Sequence, residues 1–393
     1  MNGAEAPPEG GVSLARVGRE WARIGVTGFG GPPAHIALLR QLMVDRMNWM
    51  DACEFEDANA ACGLLPGPAS TQMAIFCAYR VAGPAGAVIG GLGFITPAVV
   101  LILALSVLFL SHAPPLWVRG AGAGAGAAVA AVAVHAARGL VGPSLGRVRK
   151  KRARTARWIG YLAVGTAAAA LIGPYLVLAL LACGLVELLV QRWPWRTPGG
   201  RHVSIGLLLP ASISTGSIGA LVWTALKVGA LSFGGGFVII PLMQTDAVHT
   251  YHWMTNAQFL NAVALGQITP GPVVATVAAV GYAAHGLAGG ILAGVVAFTP
   301  SFSFILLGGR RFERVRGNQN ARAFLDGAGP GAIGAILGAA ITLTTALSET
   351  WQLALLTAAA VALLALKRGV VETLLVAGVI GVSAALTGAP LPA

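Results

Sequence analysis

Charge is scarce in this chain. Of its 393 residues only 10% are charged, and Asp and Glu together number 14. A water-soluble domain carries about a quarter charged residues, so the polar side chains needed to cover a water-facing surface are missing. Cysteine is sparse as well. Cys53, Cys62, Cys77 and Cys183 form no CxxC pair, and three of them sit in or beside apolar segments. They read as small packing residues, and neither a disulfide nor a metal site is expected. The first 20 residues have no apolar core, so no cleaved secretory signal is expected. There is no G-x-x-x-x-G-K-[ST] loop for binding phosphates, which argues against direct ATP drive. Histidines and carboxylates are scattered, with no pair suited to acid–base chemistry at membrane depth. An integral membrane lipid enzyme is therefore disfavoured, and no catalytic residue or cofactor is expected.

Apolar residues are abundant: 56% of the chain is hydrophobic. Stretches long enough to span a bilayer recur at 83–111, 116–137, 217–240, 286–308 and 328–347. The fold class this implies is an all-α polytopic membrane protein with about 10–12 membrane segments. The expected location is the inner (plasma) membrane, multi-pass. The formal charge of +12 does not point to nucleic acid. Its basic residues lie in short runs between apolar segments, as in 147–157 and 310–316. Cytoplasmic loops have this look, and such runs also meet anionic lipid.

The chain repeats itself. With an offset of 204 residues, Phe29-Gly30-Gly31 falls on Phe233-Gly234-Gly235 and Pro66-Gly67-Pro68 on Pro270-Gly271-Pro272. Gly25 meets Gly229, Trp49-Met50 meets Trp253-Met254, and Phe55 meets Phe259. After one deletion, Gly83 and Gly86 match Gly286 and Gly289, and Thr96-Pro97 matches Thr299-Pro300. GAGAGA at 120–125 resembles GAGPGA at 327–332. This is a tandem duplication of roughly 190 residues per copy. The expected layout is a disordered N-terminus 1–13, repeat one 14–191, a polar linker 192–216 and repeat two 217–390.

Equivalent loops differ in charge. In copy one the loop before the Gly-Ala run (111–118) carries no strong positive charge and the loop after it (138–157) is very basic. In copy two the basic loop (309–323) comes first, and 348–351 holds only Glu349. An inverted repeat explains this and requires an odd number of crossings per copy. About six apolar segments per copy is even, so one must fail to cross. Segments with internal Gly-Pro breaks are the candidates for re-entrant hairpins.

What the duplication preserves is mostly helix breakers. Phe29-Gly30-Gly31 followed by Pro32, and Phe233-Gly234-Gly235-Gly236, interrupt one helix per copy; the two Pro-Gly-Pro motifs interrupt another. Breaks free backbone groups, which a membrane tolerates only when buried in protein or lining a polar cavity. A helix that restarts there aims its N–H groups at the gap, a ready anion site. Arg23 and Lys227 share one repeat position, six residues before each motif phenylalanine, and face either an anion path or lipid headgroups. Thr71 and Gln72 follow the first Pro-Gly-Pro, and Gln267 and Thr276 flank the second; they can donate to an oxyanion or bond to neighbouring helices. His35 stands near the first restart. The Ala/Gly run at 119–132 reads as close helix packing, and Asp326 takes the repeat position of Arg119. Glu54, Glu56 and Asp57 have no acidic counterparts in copy two and read as a solvated loop end.

At FGGPPAHI, WMDACEF and LLPGPASTQ in copy one, and FGGGFVIIP and GQITPGPVVATVAAVGY in copy two, the sequence resembles the chromate ion transporter family. The resemblance spans about residues 14–390 and is to the long members, which fuse two related halves. Cys77-Ala78-Tyr79 departs from the pattern that Gly281-Tyr282 keeps. The resemblance implies chromate efflux by a secondary carrier, with sulfate as a related anion and a coupling ion the sequence does not name. Sulfate or another inorganic anion as the true substrate, with chromate as a mimic, is the alternative reading. A homodimer is compatible with it.

Overall fold

The computed structural model describes residues 12–63, 65–111, 113–148, 152–172, 175–192, 218–232, 237–308 and 319–392. Phe233, Gly234, Gly235 and Gly236, the expected disordered terminus through residue 11, the linker from 193 onward, the loop core at 149–151 and the basic run at 310–316 lie outside these. Every regular element among the described residues is a helix. In copy one they form α1 (Leu14–Thr27), α2 (Pro32–Arg40, running on as a π-helical turn Gln41–Arg46), α3 (Ala52–Cys62), α4 (Ala69–Phe109) and α5 (Leu116–Val148). α6 (Arg152–Ala167, with a π turn Ala168–Ile172) and α7 (Leu176–Arg192) complete it. Copy two has α8 (Ile218–Leu231), α9 (Ile239–Gln244, with a π turn Thr245–Thr250), α10 (Asn256–Ile268) and α11 (Val277–Gly308, preceded by a 3-10 turn Val273–Thr276). It ends with α12 (Gln319–Thr345), α13 (Thr350–Ala360, with a π turn Val361–Ala365) and α14 (Val370–Leu386). Four helical stretches are long and apolar enough to cross a membrane: Ala69–Phe109, Leu116–Gly146, Val273–Gly308 and Arg322–Thr345. Shorter apolar helices accompany them.

The first two helices of copy one fold back on each other. Arg46 lies 3.6 Å from Glu20, Arg16 donates to the Met47 sulfur at 3.3 Å, and Trp21 stacks on Trp49. The Gly-Gly at 30–31 is therefore the tip of a helical hairpin. Both glycines have left-handed φ, +98° and +74°, and Pro32 starts the return helix at a position where its missing N–H costs nothing. α3 and the first arm of α4 make a second hairpin. Glu54 pairs with Arg80 at 2.5 Å at its open end, Cys62 meets Met73 near the tip, and Pro66-Gly67-Pro68 is the tip itself. Trp21 clamps the two hairpins together by donating to the Ala74 carbonyl at 2.7 Å.

α4 then reverses. Gly83 takes φ +63° and ψ −156°, and its repeat partner Gly286 takes φ +62° and ψ −155°. Only glycine adopts this conformation freely. Each long helix is thus two arms folded against each other, and in copy one Gly91 packs against Ile75 of the first arm. The second arm of α4, 84–109, spans about 39 Å at 1.5 Å per residue.

Equivalent long arms of the two copies pack antiparallel. Gly91 meets Phe302, Val99 meets Gly294, and Leu103 meets Gly290. α14 runs antiparallel to α5, with Gly120 against Ala385 and Gly124 against Ala377 and Gly381. α12 lies parallel to α6 and antiparallel to α7, through Gly334 with Leu162 and Gly331 with Leu180. These contacts put Val148, Arg152, Gly308 and Gln319, which flank the two basic runs, at one end of the bundle. The connections 110–115 and 346–349 lie at the other. Arg192 and Ile218 stand at opposite ends, so the two copies enter the bundle from different sides; Leu14 and Arg192 share an end, so copy one crosses an even number of times and not the odd number expected. The Ala/Gly run behaves as expected: its small residues let α5 and α14 touch through their backbones.

Candidate functional site

The hairpin tips of the two copies meet in the middle of the bundle. The backbone N–H of Gly271 donates to the Gly28 carbonyl at 3.0 Å. Gly67 and Gly271 have φ +116° and +97°, and each abuts the other copy. A Cβ added at Gly67 would sit 3.3 Å from the Gly229 oxygen and 3.5 Å from the Ser301 hydroxyl. A Cβ added at Gly271 would sit 3.5 Å from the Gly25 oxygen and 2.7 Å from the Ala98 Cβ. Ala98 and Ser301 each follow a repeated Thr-Pro, so the duplicated motifs interlock crosswise: one copy's Pro-Gly-Pro against the other's Gly and Thr-Pro segment. Between the tips a small cavity, with room for about one water molecule, is lined by Pro32, Pro68, Ala69, Ser70, Pro272, Val273 and Val274. The first residues of both restarting segments face it.

Most of the expected polar residues gather near these tips. His35 is fully buried; its Nε2 lies 3.0 Å from the Gly28 oxygen and its Nδ1 3.4 Å from the Ser70 hydroxyl, while Phe94 packs edge-on. It therefore joins the Gly-Gly tip to the Pro-Gly-Pro hairpin, and Gly28 links it onward to copy two. Gln72 donates to the Pro66 carbonyl at 2.7 Å, which holds that tip bent. Its Oε1 has no partner among the described residues, nor have the hydroxyls of Thr71, Ser232 and Ser301 and the Nε2 of Gln267. All five side chains are buried. An unpaired buried polar atom costs about 1–3 kcal/mol, and such atoms mark places where a polar guest is received. Thr276 instead bonds back to the Val273 carbonyl, which leaves its proton spent. Phe29 is half-exposed.

Two expectations need correction. The Gly271 N–H is not a free donor at a helix restart, because Gly28 already takes it. The other correction concerns the cations. Arg23 lies exposed on α1 with no side-chain partner among the described residues. Lys227 is mostly buried and pairs with buried Asp246 at 2.5 Å; Thr224 donates to the same carboxylate at 2.8 Å, and the ammonium stands 5.7 Å from the Trp223 ring. Equal repeat positions thus hold different groups, since Asp246 has Leu42 as its counterpart. Asp246 was not singled out from sequence, although a carboxylate in the apolar run IIPLMQTDAV is itself a signal. The acidic cluster does lie at a hairpin's open end, where Glu54 meets Arg80 and Glu56 lies 3.6 Å from Arg40. Asp326 accepts from Gln191 at 3.4 Å. Among the described residues no group of side chains is arranged to hold a metal ion.

A family model described as "Chromate transporter" matches residues 15–188 and 219–382, one segment on each copy. The chain belongs to the chromate transporter family. Its relatives include the chromate transport protein of Cupriavidus metallidurans, 32% identical over 372 residues, covering 91% of this chain and 89% of that one. The chromate transport protein of Pseudomonas aeruginosa is 29% identical over 369 residues, covering 88% and 84%. An uncharacterized transporter of Bacillus subtilis, YwrB, is 37% identical over 93 residues, which is 47% of its length. No solved structure matches. Family membership makes the chain a membrane transport protein, and the bundle just described is its transmembrane body.

Proposed function

We propose that this chain is a secondary carrier that exports chromate, or a similar tetrahedral oxyanion, through a site between its two repeats. The observation that carries the reading is the meeting of the Gly-Gly tip and both Pro-Gly-Pro tips beside buried, unpartnered polar atoms. The antiparallel packing of equivalent arms supports an inverted repeat, 14–191 against 217–390, with two re-entrant hairpins per copy. In that arrangement the anion meets the free N–H groups of Ala69 and Ser70, the Thr71 hydroxyl and the Ser301 hydroxyl. Gly30, Gly31, Gly67 and Gly271 shape the backbone around it, and Gln72 and His35 hold the tips in place. The part played by 233–236 follows from the repeat alone. The small cavity fits a closed carrier, which must part its hairpins to admit an ion.

Chromate is a dianion at neutral pH. An inside-negative potential favours its exit by about 2.3 kcal/mol per charge per 100 mV, so the potential alone is a sufficient drive. The end bearing the basic runs faces the cytoplasm under the positive-inside rule, which puts the first helix's start inside and the last helix's end outside. The expected host is the plasma membrane. Flux of labelled chromate and sulfate in vesicles under an imposed potential tests the reading. Saturable chromate flux that follows the potential is expected. Flux of sulfate with chromate acting only as a competitor would replace the substrate, and no flux of either would end the proposal.

A further inference from the structure

A second cavity, of about 180 Å³, opens at the end of the bundle opposite the basic runs. It lies between α5 and α10, far from the tips. Arg119, Gly122, Asn261, Ser111, Thr255 and Gln352 are among its walls. Apart from Arg119, every residue lining it is neutral. The Arg119 side chain has no ion pair or hydrogen bond among the described residues. The nearby carboxylate of Glu349 is engaged in a capping box with Gln352 at the start of α13. Gln352 also donates to the Ala123 carbonyl at 3.0 Å, which fixes it in the wall. Thr255 is held by its own helix cap, where its hydroxyl accepts from the Gln258 backbone amide.

Among the described residues the Arg119 guanidinium and the Asn261 amide are without any side-chain partner. The Asn261 amide lies over Gly122, where an added Cβ would come within 2.6 Å of its Oδ1 and 2.7 Å of its Nδ2. Glycine at 122 therefore makes the room that the amide occupies. A guanidinium offers a planar fork to two oxygens of an anion, and an amide N–H can take a third.

We infer that this cavity is an outer binding site for a small tetrahedral oxyanion, held by Arg119 and Asn261; the ligand class rests on the export reading above. Asn261 and Gln267 lie on the same helix, about 9 Å apart along its axis. Gln267 carries an unpartnered buried amide and precedes the second Pro-Gly-Pro. An ion leaving the tips thus has α10 as its rail to the outer cavity. The site belongs to one end alone. The repeat counterparts of Arg119 and Asn261 are Asp326 and Asp57, whose charge repels an anion. This lopsidedness suits release on one side.

Site protection tests this. Ala257 lines the cavity, so the probe is Ala257→Cys. Of the native cysteines only Cys53 is exposed, and it is replaced by serine. In right-side-out vesicles an impermeant maleimide should label Ala257→Cys, and sulfate should slow labelling severalfold. Adding Arg119→Gln should remove the protection but not the labelling, and Arg119→Lys should restore part of it. Equal rates with and without sulfate, protection that survives Arg119→Gln together with Asn261→Ala, or no labelling from outside would each overturn the outer site. Chromate flux is measured on the same vesicles. Flux without protection removes the outer site and leaves the export reading standing; protection without flux does the reverse.

Discussion

The amide of Gly271 and the carbonyl of Gly28, 243 residues apart in sequence, are joined by a 3.0 Å hydrogen bond. It fastens the Pro-Gly-Pro tip of one copy to the Gly-Gly tip of the other. Gly28 also meets His35, so one carbonyl gathers three broken segments. A change at any of them should reach the others.

Gly67→Val and Gly271→Val should abolish chromate flux. Both glycines have left-handed φ, which costs an L-residue roughly 1–2 kcal/mol, and both abut the other copy. Flux per folded molecule, with folding judged by size-exclusion profile, is the measurement. Normal flux in either variant would show that the tips tolerate repacking and that the site lies elsewhere.

His35→Ala should lower flux at least tenfold while the protein still reaches the membrane. The change strips the buried Ser70 hydroxyl of its partner and leaves the Gly28 carbonyl to Gly271 alone, at about 1–3 kcal/mol. His35→Gln, which can still reach one of the two, should fall between. Equal loss of protein and of flux would make His35 a packing residue only.

Lys227 and Asp246 should behave as a pair. Asp246→Asn leaves a buried ammonium uncompensated, a loss of about 3–5 kcal/mol, and should cut thermal stability sharply. Adding Lys227→Gln should restore much of it. Arg23→Gln, on an exposed face, should change stability little. A double variant no better than the single one would deny the coupling.

Gly122→Val and Gly124→Val should part company. Gly124 touches the backbone of Ala377 and Gly381, so its variant should separate α5 from α14 and fold poorly. The atoms nearest an added Cβ at Gly122 all belong to the Asn261 side chain, which can swing aside, so its variant should fold but lose sulfate protection of the outer cavity. Yields from membrane extracts decide the first, labelling rates the second.

Single cysteines should report sidedness. At Arg152 and Lys367 they should resist an impermeant reagent applied outside, and at Ser111 and Ser348 they should react. Reaction at only one of the first two would break the inverted arrangement.

Local chemistry was legible from the sequence because it is a property of short segments. Gly-Gly-Pro and Pro-Gly-Pro can only break a helix, a chain this poor in charge can only hide in lipid, and the register of the breakers exposes a duplication. The charge pattern of the loops also raised the expectation that equivalent segments run oppositely. Distance and direction were not legible. That Gly83 and Gly286 turn each long helix back on itself depends on which faces then pack, such as Gly91 against Ile75. That Lys227 is neutralised by Asp246 while Arg23 stands free depends on a partner present in one copy alone. The Gly271 amide looked like an open donor because its acceptor, Gly28, comes from the far half of the chain. Backbone dihedrals are set by neighbours in sequence, whereas hydrogen bonds, ion pairs and cavities are set by neighbours in space, and only the tertiary structure chose those.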